Sequence, residues 1–355
     1  MFALVDSDQF ILWQGVRVPI PRKSVRWCLW VWIVATLFLS GCQTQRELAQ
    51  IEGCPQGPVA KDSAQLKQAL KDAGPGSVIV LAPGRYEGRF VVDSHGTEAE
   101  PAWLCGPRDA ELRLAEVDRG YVLHVDGASH WHLRGFSIRG GLKSLMLDGA
   151  NNNNLTDIAV GGAGHEAVHV RTGSSGNAFT RISVDGAGLH EPDFGEGIYV
   201  GSAQSNWCDV SACEADRSDN NRFVDISVRG TTAEPIDIKE GTSRGRIIGA
   251  RLDSSAMTHG SSYIDVKGSR WQVSNVRGTG GADMGLAIYR ITGESGRRNS
   301  VASNTFEVPV ADSAVVVSKS AHGLGNRVAC DNSARVGGRS ISMAAAGQPC
   351  DAAIG

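Results

Sequence analysis

Surplus charge, long apolar runs and metal-type cysteine spacing are what this sequence lacks. Its 355 residues carry a formal net charge of -3, so there is no basic face for nucleic acid. The main apolar run, Trp27 to Leu39, falls short of the roughly 20 residues a spanning helix needs. Close Cys pairs are not repeated, and His165, His169 and His190 stand on separate segments, which disfavours zinc. Proline is scarce, 12 residues against 44 Gly; with Asn, Asp and Ser, the glycines describe a chain that turns often. A hydrophobic content of 41% excludes disorder and supplies a sizeable core for one or two domains.

Arg22, Lys23 and Arg26 precede the Trp27 to Leu39 run, which ends in Leu39-Ser40-Gly41-Cys42. A charged flank, a short apolar core and small residues before a cut site describe a secretory signal. The final tetrapeptide resembles the bacterial lipoprotein lipobox. The resemblance implies a signal peptide over 1–41, lipidation of Cys42 and a membrane anchor through that lipid. It also implies a cell-envelope location, on the outer membrane where the cell has one, because Gln43 rather than Asp follows Cys42. Residues 42–58 then hold the lipidated Cys and its tether. In an exported chain the six remaining cysteines suit three disulfides, paired by proximity as Cys54 with Cys105, Cys208 with Cys213, and Cys330 with Cys350.

Asp62 or Ser63 is placed to cap a helix carrying Leu66, Ala69, Leu70 and Ala73 on one face. Short strands then recur, among them Val122-Leu123-His124-Val125, Val168-His169-Val170, Ile198-Tyr199-Val200, Ile236-Asp237-Ile238 and Ile264-Asp265-Val266. Their alternation buries one face and presents the other. Between them Asn177-Ala-Phe179-Thr-Arg-Ile-Ser-Val184 matches Asn221-Arg-Phe223-Val-Asp-Ile-Ser-Val228, and Asn154, Asn299 and Asn326 open similar elements. Asn tolerates the left-handed conformation of a sharp corner, and stacked Asn side chains hydrogen-bond along an axis. These features resemble the right-handed parallel β-helix of the pectate-lyase-like superfamily. The resemblance implies an all-β solenoid over 59–350 with a short N-terminal capping helix and a tail at 351–355.

Stacking would place Tyr199, Asp237 and Asp265 in one outward column and Lys239 and Lys267 in another. Acidic residues converge nearby: Glu191, Asp193, Glu196, Glu234 and Glu240. Crowded carboxylates need a cation or lysines, and hard oxygen ligands suit calcium. Two neighbouring ammonium groups are expected to lower one another's pKa, which suits a base. Glu234-Pro-Ile-Asp-Ile-Lys239 resembles the calcium ligand and base of the alginate lyase and chondroitinase B β-helices. That resemblance implies Glu234 as a metal ligand, joined here by Glu196, and Lys239 as the base acting with Lys267 on an acidic polysaccharide. The family's Arg acid is replaced here by Lys267-Gly268, so the proton donor stays open among Lys267, Tyr289 and His169. Tyr199, Asp237, Asp265 and Tyr289 are candidate substrate contacts. The expectation is a monomeric lyase acting by β-elimination. The alternatives are a non-catalytic glycan-binding lipoprotein, a solvated charge ladder, or a glycosidase using Asp237 and Asp265 as paired carboxylates.

Overall fold

The structure, a computed structural model, describes residues 10–13, 16–19, 52–342 and 350–351. The Trp27 to Leu39 run and Cys42 lie outside the described residues. The chain divides into Met1–Glu52 and Gly53–Gly355. In the first unit Phe10–Trp13 and Val16–Pro19 pair as an antiparallel hairpin.

The second unit is a parallel β-solenoid of about ten turns. One of its sheets carries the candidate site residues and has nine strands. They are β1 (Phe90–Val92), β2 (Tyr121–Asp126), β3 (Lys143–Asp148), β4 (Val168–Arg171), β5 (Ile198–Val200), β6 (Ile236–Ile238), β7 (Ser262–Val266), β8 (Met284–Ile288) and β9 (Val315–Val317). Register runs unbroken through Phe90, Leu123, Leu145, Val168, Ile198, Ile236, Ile264, Leu286 and Val315. These residues are all buried, and each contributes about 1.5–3 kcal/mol through burial. The next residue of every strand points the other way, giving the outward column Val91, His124, Met146, His169, Tyr199, Asp237, Asp265, Ala287 and Val316.

Helix α1 (Ser63–Lys71) starts where the sequence placed it, with Asp62 Oδ1 accepting from the Gln65 amide at 2.8 Å. Its buried Leu66 and Leu70 join the core of the first coils. The three disulfides join Cys54–Cys105, Cys208–Cys213 and Cys330–Cys350.

The repeat match is borne out in space, since Phe179 and Phe223 stack with centroids 4.6 Å apart. Asn153, Asn177 and Asn221 form a buried ladder, each Nδ2 donating to the next Oδ1 at 3.1 Å. Two corrections follow. The first ladder member is Asn153, not Asn154, which sits on a strand beside His132. The left-handed residue is the one before the ladder, Asn152 at φ 56° and Asn220 at φ 59°. Corner and ladder are thus separate tasks for adjacent residues.

Candidate functional site

Three rows meet on the central coils. Glu166, Glu196 and Glu234 each stand two residues before the first inward aliphatic of β4, β5 and β6. His169, Tyr199, Asp237 and Asp265 form the middle row. Lys239, Lys267 and Tyr289 follow the strand ends in one series, their amides bonded to the carbonyls of Val200, Ile238 and Val266.

Asp237 is the hub. It is 2% exposed, with Lys239 Nζ at 2.6 Å and Lys267 Nζ at 2.8 Å and 2.9 Å from its oxygens. Lys267 also lies 2.9 Å from Asp265 Oδ2, whose partner oxygen accepts from Ser262 Oγ at 2.5 Å. Burial opposes the charge on Asp237, yet the Lys267 and Lys239 ammonium groups hold its carboxyl below the usual range. The lysines respond in kind: burial alone would push them down, and Asp237 more than offsets this, holding both above the ordinary lysine range. The expected lowering of Lys267 by Lys239 is present, but the carboxylate between the two ammonium groups outweighs it.

On the other side of the hub, oxygens of Glu196, Glu234 and Asp237 lie within 4.8 Å of one another. Glu234 accepts from the Ser261 amide at 3.1 Å, while buried Glu196 Oε2 has no partner among the described residues. Burial, then Glu166 and Asp237, push the Glu196 carboxyl up to about 8. Burial and Asp265 raise Glu234 as well. Clustered hard oxygens with one buried oxygen unpartnered fit a hard divalent cation, which Glu196 and Glu234 would chiefly hold because the lysines already occupy Asp237.

Tyr199 joins the hub to its neighbours. Lys239 Nζ stands 4.6 Å from the centre of its ring, and His169 packs edge-on from the other side at 4.7 Å. Burial, with Asp237, raises the phenol well above its ordinary value. His169 Nε2 bonds the Gly201 carbonyl at 3.0 Å, and burial with Lys143 pushes the imidazole down to about 4. Beside Tyr199 is a cavity of about 180 Å³, lined by Lys143, Glu166, His169, Phe194 and Val210 among others. Of the three loops around β5 to β7, at 189–194, 207–220 and 256–262, the first two reach this cavity, through Phe194 and through Val210. The third, near His259, meets the first where His259 Nε2 lies 3.4 Å from Asp193.

No protein-family model matches the chain, and neither does any curated protein. Among solved structures it is similar to an alginate lyase from Paenibacillus sp. str. FPU-7, with 28% identity and a TM-score of 0.68 over 79% of this chain and 97% of that one. The chain shares the parallel β-helix fold of that lyase. The same β-helix aligns with the pectate lyase Pel9A at 13% identity and a TM-score of 0.53, covering 81% of this chain and 75% of that one. It aligns with a rhamnogalacturonan lyase at 12% identity and 0.53, covering 78% and 87%. These last two likenesses bear on the fold alone.

Not every acidic residue expected at the site of this β-helix reaches it. Glu191 lies 3.3 Å from His165, Asp193 faces His259, and Glu240 accepts from the Gln204 amide at 2.7 Å. Tyr289 does reach the lysine row, its phenol raised by burial and by Asp265. Asp237 and Asp265 are bridged by Lys267, which disfavours the paired-carboxylate hydrolase because one ammonium group already engages both carboxylates. Sequence reasoning missed the buried Lys143–Glu166 ion pair and the carboxylate beside His169, 3.5 Å from its Nδ1. A signal was there: Glu166-Ala-Val-His-Val, Glu196-Gly-Ile-Tyr-Val and Glu234-Pro-Ile-Asp-Ile share one pattern.

Proposed function

We propose that this protein is a polysaccharide lyase that cleaves a uronic-acid glycan by β-elimination on the Tyr199–Asp237–Lys267 wall. The observation that carries the reading is Asp237 clasped by two lysines beside an undercompensated Glu196–Glu234 pair. The likeness to an alginate lyase supports the same class of substrate. Elimination needs the sugar carboxylate neutralised, the C5 proton removed and the leaving oxygen protonated. The C5–H electrons become the C4–C5 double bond as the C4–O bond breaks.

Lys267, held by two carboxylates, keeps its proton and neutralises the sugar carboxylate. Lys239 has Asp237 alone within ion-pair distance, so we assign it as the base, acting in the deprotonated form that alkaline pH populates. Tyr199, whose phenol stays protonated, donates that proton to the leaving glycosidic oxygen. A calcium ion held by Glu196 and Glu234 would add positive charge against the sugar carboxylate. The chain is further proposed to be exported and held in the cell envelope by a lipid on Cys42; the lipobox resemblance supports that reading.

The test is incubation of the purified protein with a panel of uronic-acid polysaccharides, with calcium and with chelator, following the ultraviolet absorbance of unsaturated ends. Product that disappears in Lys239→Ala supports elimination. New reducing ends without absorbance point to hydrolysis, and binding without either product points to a glycan-binding scaffold.

A further inference from the structure

We infer that the solenoid corner beyond the lysine row is a second subsite for an acidic glycan, built from a ladder of Arg244, Arg270 and Arg298. The inference rests on the uronic-acid reading above and extends it to sugars outside the reacting one.

Corner residues stack in one series through amide bonds to the neighbouring coil. Asn220 bonds the Ser243 carbonyl, Arg244 that of Ser269, Arg270 that of Arg297, and Arg298 that of Leu324. All occupy the left-handed region, as do Asn152 and Gly176 in earlier coils and Gly325 in the coil after Arg298. Gly and Asn suit that conformation; for Arg it costs about 1 kcal/mol per residue. Three coils in succession nonetheless place Arg there, at φ 59°, 57° and 55°. Coils lie about 4.8 Å apart, so the three positive groups repel one another.

Another corner shows the contrast. Arg181 is also left-handed, at φ 53°, but its Nε lies 2.6 Å from Asp157 of the preceding coil. In the ladder, Arg244 has Asp219 at 3.0 Å, and neighbouring Arg297 has Glu294 at 2.7 Å. Arg270 and Arg298 have no ion pair among the described residues. The ladder lines a cavity of about 330 Å³ together with Arg217 and Arg297. Glu294 lines the hollow too and is taken by Arg297, which leaves Arg217, Arg270 and Arg298 without an ion-pair partner among the described residues.

Position names the ligand. Arg270 follows Lys267 by three residues, a reach of at most about 10 Å, so the hollow lies roughly a sugar or two from the hub. Guanidinium groups grip carboxylates through paired hydrogen bonds. A polyuronate crossing the wall would meet the lysines with one carboxylate and the arginines with another.

The test uses Arg244→Asn/Arg270→Asn/Arg298→Asn in the full chain, with Arg270→Asn alone as a milder second variant. Asn is the residue used at this corner by neighbouring coils, so thermal unfolding should stay near that of the parent. Binding of polygalacturonate and of alginate is measured in the Lys239→Ala background, across a salt series. The Lys239→Ala protein is expected to bind polymer without making product. The triple change should weaken that binding about tenfold or more and flatten its salt dependence. Unchanged affinity in both Asn variants overturns the inference. So does a parent that binds no polyuronate, or one held only by anionic phosphatidylglycerol vesicles. Arg-dependent binding by a wild-type protein that yields no unsaturated ends leaves the subsite standing and removes the lyase.

Discussion

Asp237 keeps the two lysines beside it protonated. Its carboxylate holds the Lys239 proton, so lyase activity is expected to climb toward alkaline pH, where that proton is released. Asp237→Asn removes the restraint, and the rising limb of the pH–rate profile should move to lower pH; a limb that stays in place would take the base role from Lys239. Glu196 gives a separate, opposite signature. Its folded value of about 8 lies above the ordinary 4.5, so the native state holds the proton more tightly than the unfolded chain. The stability this gives is fully present below the unfolded value and is lost as pH rises through the folded one. In chelator, melting temperature should fall between those limits, and Glu196→Gln should flatten the decline, gaining on the order of 2 kcal/mol at the alkaline end. Thermal melts across pH measure both. The Asp and Lys columns were legible from the sequence because period-two alternation assigns faces. Their protonation was not, since it depends on a carboxylate falling between two ammonium groups from successive coils.

Asn ladders hold the corners, and they were half legible. The match between Asn177 and Asn221 was visible because each opens the same aromatic and aliphatic pattern. The division of labour with Asn152 and Asn220 was hidden, because both tasks favour Asn and the residues are adjacent. Asn177 is buried, with its Oδ1 accepting from the Asn153 amide at 3.0 Å and its Nδ2 donating to the Ala150 carbonyl at 2.9 Å. Asn177→Ala strands both groups away from water and is expected to cost about 2–4 kcal/mol in urea unfolding, whereas exposed Asn220→Gly should cost a few tenths. Equal losses would mean the ladder adds nothing beyond the turn.

Across the whole molecule, covalent links sit near both ends of the solenoid. Cys54–Cys105 spans 51 residues that include α1 and the first strands, and Cys330–Cys350 ties down the last described residues. Replacing Cys54 and Cys105 by Ser is expected to destabilise the fold by about 2–4 kcal/mol. Amide exchange should report the loss first in α1, with β6 and β7 little affected; uniform loosening would contradict local closure. The pairings were legible because sequence neighbours are spatial neighbours in a solenoid.

The coil stack also fixes the grain of any change to the catalytic wall. Groups in one column are separated by whole steps of about 4.8 Å. Loops can lengthen freely, but duplicating or deleting a coil between Tyr199 and Asp265 would displace a proton donor from its base by a full step. Variation in glycan preference is therefore free to come gradually from the loops and corners, whereas spacing along the axis can change only in jumps.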